Sequence, residues 1–346
     1  MHRSKATKHK LNVGAPLVPT SPFATPEQTT VFVMTTRGNF AVRRTIRATW
    51  ASGHANVFFV VGAACHVPPT HRTAQQWLSS PSSWACNRSR ESLVSNHTNE
   101  VWKQHLASEA AALQSELSKW NDVLELQVDD SYEGLPDKVV QAYRWGIVHT
   151  QSKWFVKVDD DCFMRVGIAA NYLAQTFAQV EDQPVVIGNI VEGAPVMKAG
   201  KWKEHDHLKL RMYPPFPKGS AGHIVSRSVA QYIADHSDSL LTYQQEDVSL
   251  GMWMAESPLA VQWNNSLHMV AQEGGNCLDT TKFLIGHRIS QEKMLKCYSV
   301  TGHESALATA YREKVAVDSW LKRTHTFLKP YKRRIEKSLV WLVNNG

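Results

Sequence analysis

Three consecutive carboxylates, Asp159-Asp160-Asp161, follow the apolar run Trp154-Phe155-Val156-Lys157-Val158 without a break. In an extended chain, alternation puts Asp159 and Asp161 on one side and Asp160 on the other. Ligands of open α/β sheets bind just beyond the carboxyl ends of strands. Adjacent carboxylates repel, and a bound cation is the natural compensation. Hard oxygen ligands suit Mg²⁺ or Mn²⁺ shared with substrate phosphates. The alternative reading is a solvated acidic turn. A calcium loop is excluded, because Phe163 stands where an oxygen ligand is needed and Met164 where glycine is needed.

Further segments carry chemistry-bearing residues. Glu246-Asp247 opens the apolar stretch Val248-Ser249-Leu250-Gly251, which reads as carboxylates favoured at a helix start or as a general base held there. Gly219-Ser220-Ala221-Gly222 precedes His223-Ile224-Val225-Ser226; such a small-residue turn is ordinary, or it lets a ligand approach the backbone. Arg43 and Arg47 stand one helical turn apart, as phosphate ligands or as a solvated basic face. His205-Asp206-His207 lacks a third ligand nearby and reads as a polar loop. Asp129-Asp130-Ser131-Tyr132-Glu133 is similar to the acidic motif of helical terpene enzymes, but its strand-rich surroundings favour a strand-end loop. GxxxxGK[ST], GxGxxG and GxSxG are all absent, so P-loop, Rossmann dinucleotide and serine-hydrolase readings lack support.

The elements that must position these groups are short β-rich runs alternating with helical stretches. The runs are Val31–Thr35, Val57–Val61, Val123–Val128, Trp154–Val158 and Val185–Ile190. Helices are expected over Ala41–Trp50, Glu100–Trp120 and Pro136–His149. In the last, Leu135, Val139, Tyr143 and Ile147 recur at a four-residue step and line one face. Such alternation predicts an α/β fold with a mostly parallel central sheet flanked by helices. Residues 68–99, rich in Ser, Pro and Asn, read as a surface insertion, and 1–26 as a basic, Pro-rich tail or linker.

The net charge of +7 sits on the ends of the 346-residue chain. Residues 1–26 carry four basic groups and no acid; residues 318–346 carry seven basic groups against Asp318 and Glu336. The stretch between has 27 basic against 29 acidic groups. A nucleic-acid domain carries its excess on the folded face, so no nucleic-acid partner is expected. No window reaches about 18 consecutive apolar residues. Residues Tyr331–Val343 mix Lys332, Arg333, Arg334 and Lys337 with apolar and aromatic groups, which suits a membrane-surface helix or a terminal helix packed on its own domain. The five cysteines match no paired zinc spacing. Sequons at Asn87, Asn96 and Asn264 permit a lumenal location.

Taken in order, these segments resemble glycosyltransferase family 31, the inverting β-1,3-glycosyltransferases, over residues 30–300. Arg43-Arg44-Thr45-Ile46-Arg47-Ala48-Thr49-Trp50 is similar to the family's RRxxIRxTW opening. Asp130-Ser131-Tyr132-Glu133-Gly134-Leu135 is similar to DSYxNL, with Gly134 for Asn. Val156–Asp161 resembles the family's DxD metal motif. Lys201-Trp202, Tyr213-Pro214-Pro215-Phe216 and Gly219–Ser226 resemble KW…YPxYxxGxGYxxS, with His223 for Tyr. Glu246–Gly251 matches EDVxxG, and Leu284–Met294 resembles HxxSPxEM, with Gln291 for Pro.

The resemblance implies a GT-A fold over 27–300, with 301–346 a helical basic extension. It implies a hexosyltransferase that moves galactose or N-acetylgalactosamine from a UDP-sugar to a hydroxyl of a glycan on glycoprotein, proteoglycan or glycolipid. Asp247 would be the base, with Glu246 orienting it or meeting sugar hydroxyls. Asp159, Asp161 and His287 would hold Mn²⁺ or Mg²⁺. Arg43, Arg47, Asp159, Asp160, Trp202, Gly219, Ser220, Ala221 and Gly222 would serve the donor. Such proteins work in the Golgi lumen on a membrane anchor, which this chain does not contain and which is expected upstream of it. Two other readings stay open: a GT-A enzyme using UDP-GlcNAc or retaining chemistry, and a non-catalytic glycan-binding protein on the same fold.

Overall fold

The computed structural model describes residues 28–68, 95–132, 134–178, 183–199, 203–204, 210–219, 222–241, 243–266, 269–270 and 284–301. The chain divides after Leu295 into two units, and the candidate site lies wholly in the first. The expected tail, most of the expected insertion and nearly all of the C-terminal extension fall outside the described residues, as do Trp202, His205-Asp206-His207, Ser220 and Ala221.

The first unit is an α/β structure on a seven-stranded sheet. Its strands are β1 (Thr29–Met34), β2 (Val57–Ala63), β3 (Val123–Asp129), β4 (Trp154–Asp159), β6 (Val185–Gly188), β9 (His223–Ser226) and β10 (Gln262–Asn265), ordered β10-β6-β9-β4-β1-β2-β3. All neighbouring pairs are parallel except those made by β9, which runs antiparallel to β4 and β6. Two small sheets attach. One joins β11 (Met269–Val270), β12 (Ile285–Gly286) and β5 (Phe163–Met164); the other pairs β7 (Ile190–Val191) with β8 (Phe216–Pro217).

The helices are α1 (Phe40–Arg47), α2 (Asn96–Lys119), α3 (Leu135–His149), α4 (Val166–Thr176), α5 (Arg227–Asp235), α6 (Glu246–Glu256) and α7 (Gln291–Thr301). Strands β1 and β4 are buried along nearly their whole length, as expected of parallel strands covered on both faces. On one face Tyr143 of α3 packs edge-on against Phe32 and Phe155, with Val229 and Ile233 of α5 and Trp253 of α6 in the same cluster. On the other, Arg47 of α1 lies over Phe59, and Phe177 beyond α4 meets Trp154. Each fully buried aromatic or aliphatic side chain here contributes roughly 1.5–3 kcal/mol.

The expected strands and helices form, with corrections at their edges. Strand Val185–Ile190 stops at Gly188, and Ile190 passes instead to β7 against β8. The helix expected to reach Trp50 ends at Arg47, where the Thr49 hydroxyl takes the carbonyls of Thr45 and Ile46 and competes with the helical ladder. The helix expected from Glu100 starts four residues earlier, because Ser95 caps it by accepting the Thr98 N–H. That start also takes Asn96–Asn99 out of the expected insertion.

Candidate active site

Asp159 ends β4 and Asp161 lies just beyond it, on the same side, as alternation predicts. His287 reaches them because β12 pairs antiparallel with β5, the strand that follows the aspartates. The Ile289 N–H donates to the Asp161 carbonyl at 2.8 Å and pins the turn. Within that turn Arg288 adopts φ 56°, a left-handed conformation that costs energy in a non-glycine residue and is held by its surroundings.

One ligand atom from each of Asp159, Asp161 and His287 lies within 4.8 Å of the others. His287 Nε2 stands 3.4 Å from Asp161 Oδ2, and its buried Nδ1 has no hydrogen-bond partner among the described residues. Two carboxylates and an imidazole with an unspent buried nitrogen fit a divalent cation of the Mn²⁺ or Mg²⁺ type.

Glu246 and Asp247 open α6, both buried. Asp247 Oδ2 accepts the Gly219 N–H at 2.8 Å and Oδ1 the Val248 N–H at 2.8 Å. Burial, then the neighbouring Glu246 charge, pushes the Asp247 carboxyl up to about 7, against those two donors and Lys157. Glu246 goes the other way: burial raises it, but the Lys157 ammonium more than offsets this and leaves it below the ordinary range. Two adjacent carboxyls pushed apart in this manner separate an ionised partner from a proton acceptor poised near neutrality. Gly219 has to be small, since a Cβ there would stand 2.9 Å from Glu246 Oε1 and 3.1 Å from Asp247 Oδ2.

Below both groups lies Lys157, fully buried in β4. Its Nζ stands 2.7 Å from Asp159 Oδ1 and 2.7 Å from Glu246 Oε1. Burial disfavours its charge, yet the two carboxylates raise its pKa well above the usual value. Across the strand pair sits His223, whose Nε2 shares a 2.6 Å hydrogen bond with the Tyr143 hydroxyl. Burial and the Lys157 charge press this imidazole down to about 3, so it is neutral. Gly222, at φ 70°, lets the turn pass over β4 where a Cβ would lie 1.9 Å from the Lys157 carbonyl.

The structure brings Asp159, Asp161 and His287 together, and Glu246, Asp247 and Gly219 together, with Lys157 between the two sets. Asp160 turns away, as alternation requires, and accepts from the Thr35 hydroxyl at 2.5 Å and Asn39 Nδ2 at 2.8 Å. Arg43 and Arg47 do not join the site. Arg43 is completely buried, with Nε and Nη2 on Glu116 and Nη1 on the Thr36 carbonyl. Arg47 bridges Glu116 and Asp122. Their one-turn spacing therefore serves to join α1 to α2 and to the start of β3; it is neither a phosphate site nor a solvated basic face.

Asp130 closes the strand-end loop, accepting from the Arg37 and Gly62 N–H groups and from Lys138. Lys157 is the residue whose part the motif reading passed over. Its signal was present all the same: a charged residue in an otherwise apolar buried strand must have partners.

The sequence profile of the galactosyltransferase family matches residues 103–265. UDP-GalNAc:beta-1,3-N-acetylgalactosaminyltransferase 2 of Xenopus laevis is 37% identical over 156 residues, which are 44% of this chain and 31% of that protein. Its Homo sapiens counterpart is 34% identical over 152 residues, 44% of this chain and 30% of that protein. Hydroxyproline O-galactosyltransferase GALT5 of Arabidopsis thaliana is 28% identical over 145 residues, 41% of this chain and 21% of that protein. The chain thus matches under a third of the length of these relatives. Among solved structures, CMP:2-keto-3-deoxy-manno-octonic acid synthetase complexed with CTP aligns at a TM-score of 0.30 with 9% identity, over 68% of this chain and 88% of that one, a likeness too slight to argue from. Over its central segment the chain is thus similar to galactosyltransferases and N-acetylgalactosaminyltransferases.

Proposed function

We propose that this chain is an inverting GT-A glycosyltransferase that moves galactose or N-acetylgalactosamine from a UDP-sugar to a glycan hydroxyl in β-1,3 linkage. The observation that carries this reading is the buried Asp247 carboxylate at the start of α6, raised to about 7 and fixed by two backbone N–H groups. A sugar hydroxyl has a pKa far above neutral, so its proton must leave as the new bond forms. Each Asp247 oxygen spends one lone pair on a backbone donor and retains another for that proton. The acceptor oxygen then bonds to the anomeric carbon, and the anomeric C–O bond to UDP breaks with its electron pair leaving on the diphosphate. Attack opposite the leaving group turns an α-linked donor into a β-linked product.

Asp159, Asp161 and His287 would hold the divalent cation. Bound there, the cation neutralises charge on the departing diphosphate. Asp160, through Thr35 and Asn39, would shape the loop after β1 on the nucleotide side. The choice of donor is supported by the first two relatives, whose names specify UDP-GalNAc. The acceptor would be a glycan on glycoprotein, proteoglycan or glycolipid. The compartment would be the Golgi lumen, a reading supported by Cys65 and Cys297 each taking part in a disulfide, since disulfides persist in oxidising compartments. Membrane association would come from an anchor; no described helix is long and apolar enough to cross a membrane.

The test is transfer from UDP-GalNAc, UDP-Gal and UDP-GlcNAc with Mn²⁺ onto a panel of β-linked glycans, with product linkage read by NMR. A β-1,3 product from UDP-GalNAc or UDP-Gal is expected. A product that retains the donor's α configuration, or glycan binding without turnover, overturns the proposal.

A further inference from the structure

Lys157 has no freedom of position. Its backbone is paired with Phe32 on one side and His223 on the other. The Gly222 turn lies against its carbonyl, and its side chain is fully buried. From this fixed point the ammonium meets one carboxylate of the candidate cation set and one carboxylate of α6, each at 2.7 Å. The two partners belong to different halves of the chemistry. Asp159 is on the donor side; Glu246 adjoins the residue that would take the acceptor's proton. In the described residues this ammonium is the link between them. Displacements of about 1 Å between reacting groups cost orders of magnitude in rate, so what fixes this separation matters to the reaction.

We propose that Lys157 is a positioning residue for sugar transfer, its ammonium tying Asp159 to Glu246 so that the donor and acceptor sides keep one separation. The inference rests on the function proposed above. It also has a consequence for the cation. The ammonium is shared by two carboxylates, so neutralising Glu246 concentrates its charge on Asp159 and weakens cation binding at a site Glu246 does not touch. Coupling between sites of this kind is reciprocal: an occupied cation site releases the ammonium toward Glu246.

The experiment is a double-mutant cycle on the full chain with Lys157→Met, Glu246→Gln and the double variant. It reads kcat and donor KM, together with Mn²⁺ binding by the EPR signal of the free ion in the presence of UDP. Each single variant is expected to lose about 10²-fold in kcat. The double variant should fall within tenfold of the poorer single one, because a tie broken at either end is already lost. Glu246→Gln should also weaken Mn²⁺ binding threefold or more.

Losses that multiply across the cycle overturn the tie. So does a double variant with wild-type kcat, which makes Lys157 a mere counter-charge, or Mn²⁺ binding by Glu246→Gln within twofold of wild type. Lys157→Met leaves two carboxylates facing each other and can fail to fold. The double variant removes one charge of each sign, so its comparison with Glu246→Gln alone then decides: a further loss beyond tenfold overturns the proposal. If the wild-type chain transfers no sugar at all, the functional reading fails, and the Mn²⁺ shift of Glu246→Gln still tests the tie.

Discussion

Asp247 and Glu246 are neighbours in sequence with opposite fates, and the difference comes from one contact. Glu246 is ion-paired with the Lys157 ammonium, while Asp247 hydrogen-bonds to neutral N–H donors beside the charge of its neighbour and feels that ammonium only at a distance. With its carboxyl at about 7 the base is fully available only above neutrality, so kcat/KM should rise with pH through about 7. A profile flat from pH 5.5 to 8 removes Asp247 from the role. The sign for stability is opposite. Burial holds the folded carboxyl above its unfolded value of 3.8, so between about 4 and 7 the folded state binds the proton more tightly, and this group withdraws stability as pH climbs through that window. Asp247→Asn should cost roughly 10²–10⁴-fold in kcat while UDP binding, measured by calorimetry, stays within a few-fold. The acidic residues themselves were legible in sequence, because a strand running into Asp159-Asp160-Asp161 and a helix opening on Glu246-Asp247 are local patterns. For Lys157 the need of a partner was legible but Glu246, 89 residues away, was not, and the Tyr143 partner of His223 lies 80 residues away, where no local pattern names it.

At the scale of elements, strand alternation and the four-residue step of α3 were legible because burial on a sheet or helix face imposes a period. The ends of elements followed side-chain contests instead, as Thr49 shows at α1 and Ser95 at α2. Arg43 and Arg47 show how far spacing goes: it put both on one face correctly and left open what that face meets. The answer is Glu116 on α2, fixed by tertiary packing. Removing one partner of a buried pair leaves the other charge uncompensated, so Arg43→Met should lower unfolding free energy by about 3–5 kcal/mol with UDP affinity per folded molecule unchanged. A tenfold loss of UDP affinity in fully folded variant would return Arg43 to the donor site. The two described glycines of the turn before β9 should separate in the same way. A Cβ at Gly222 meets the rigid β4 backbone, so Gly222→Ala should lose stability of order 1–3 kcal/mol in chemical denaturation. A Cβ at Gly219 meets the ends of Glu246 and Asp247, which can shift. Gly219→Ala should therefore keep its stability within about 1 kcal/mol and lose kcat. Equal stability losses in both variants would contradict this division.

Across the whole molecule the charge is unevenly spread, and the described site lies in the part without the excess. The stretch 27–317 carries two more acids than bases, and Asp159, Asp161, Glu246 and Asp247 gather in a site where the buried ammonium of Lys157 meets Asp159 and Glu246. Four carboxyls against one cation is an arrangement that a divalent ion balances. Elsewhere the fold neutralises its buried charges internally, with Arg37, Arg43, Arg47 and Lys138 each matched to carboxylates. Among the described residues the site thus gathers more carboxylates than cations, and it does so where His287 carries an unspent buried nitrogen. Chelation with EDTA should therefore abolish transfer, and Mn²⁺ should restore it. Mn²⁺ in excess should also raise the melting temperature of the folded chain, because an ion that binds the native state alone stabilises it by mass action. Asp161→Ala removes one ligand without disturbing Lys157, so it should lose both the Mn²⁺-dependent shift in melting temperature and most of the UDP affinity, while its metal-free melting temperature stays near that of wild type. Full activity in EDTA, or an Asp161→Ala variant still stabilised by Mn²⁺ to the wild-type extent, would show that the surplus charge serves something other than a cation.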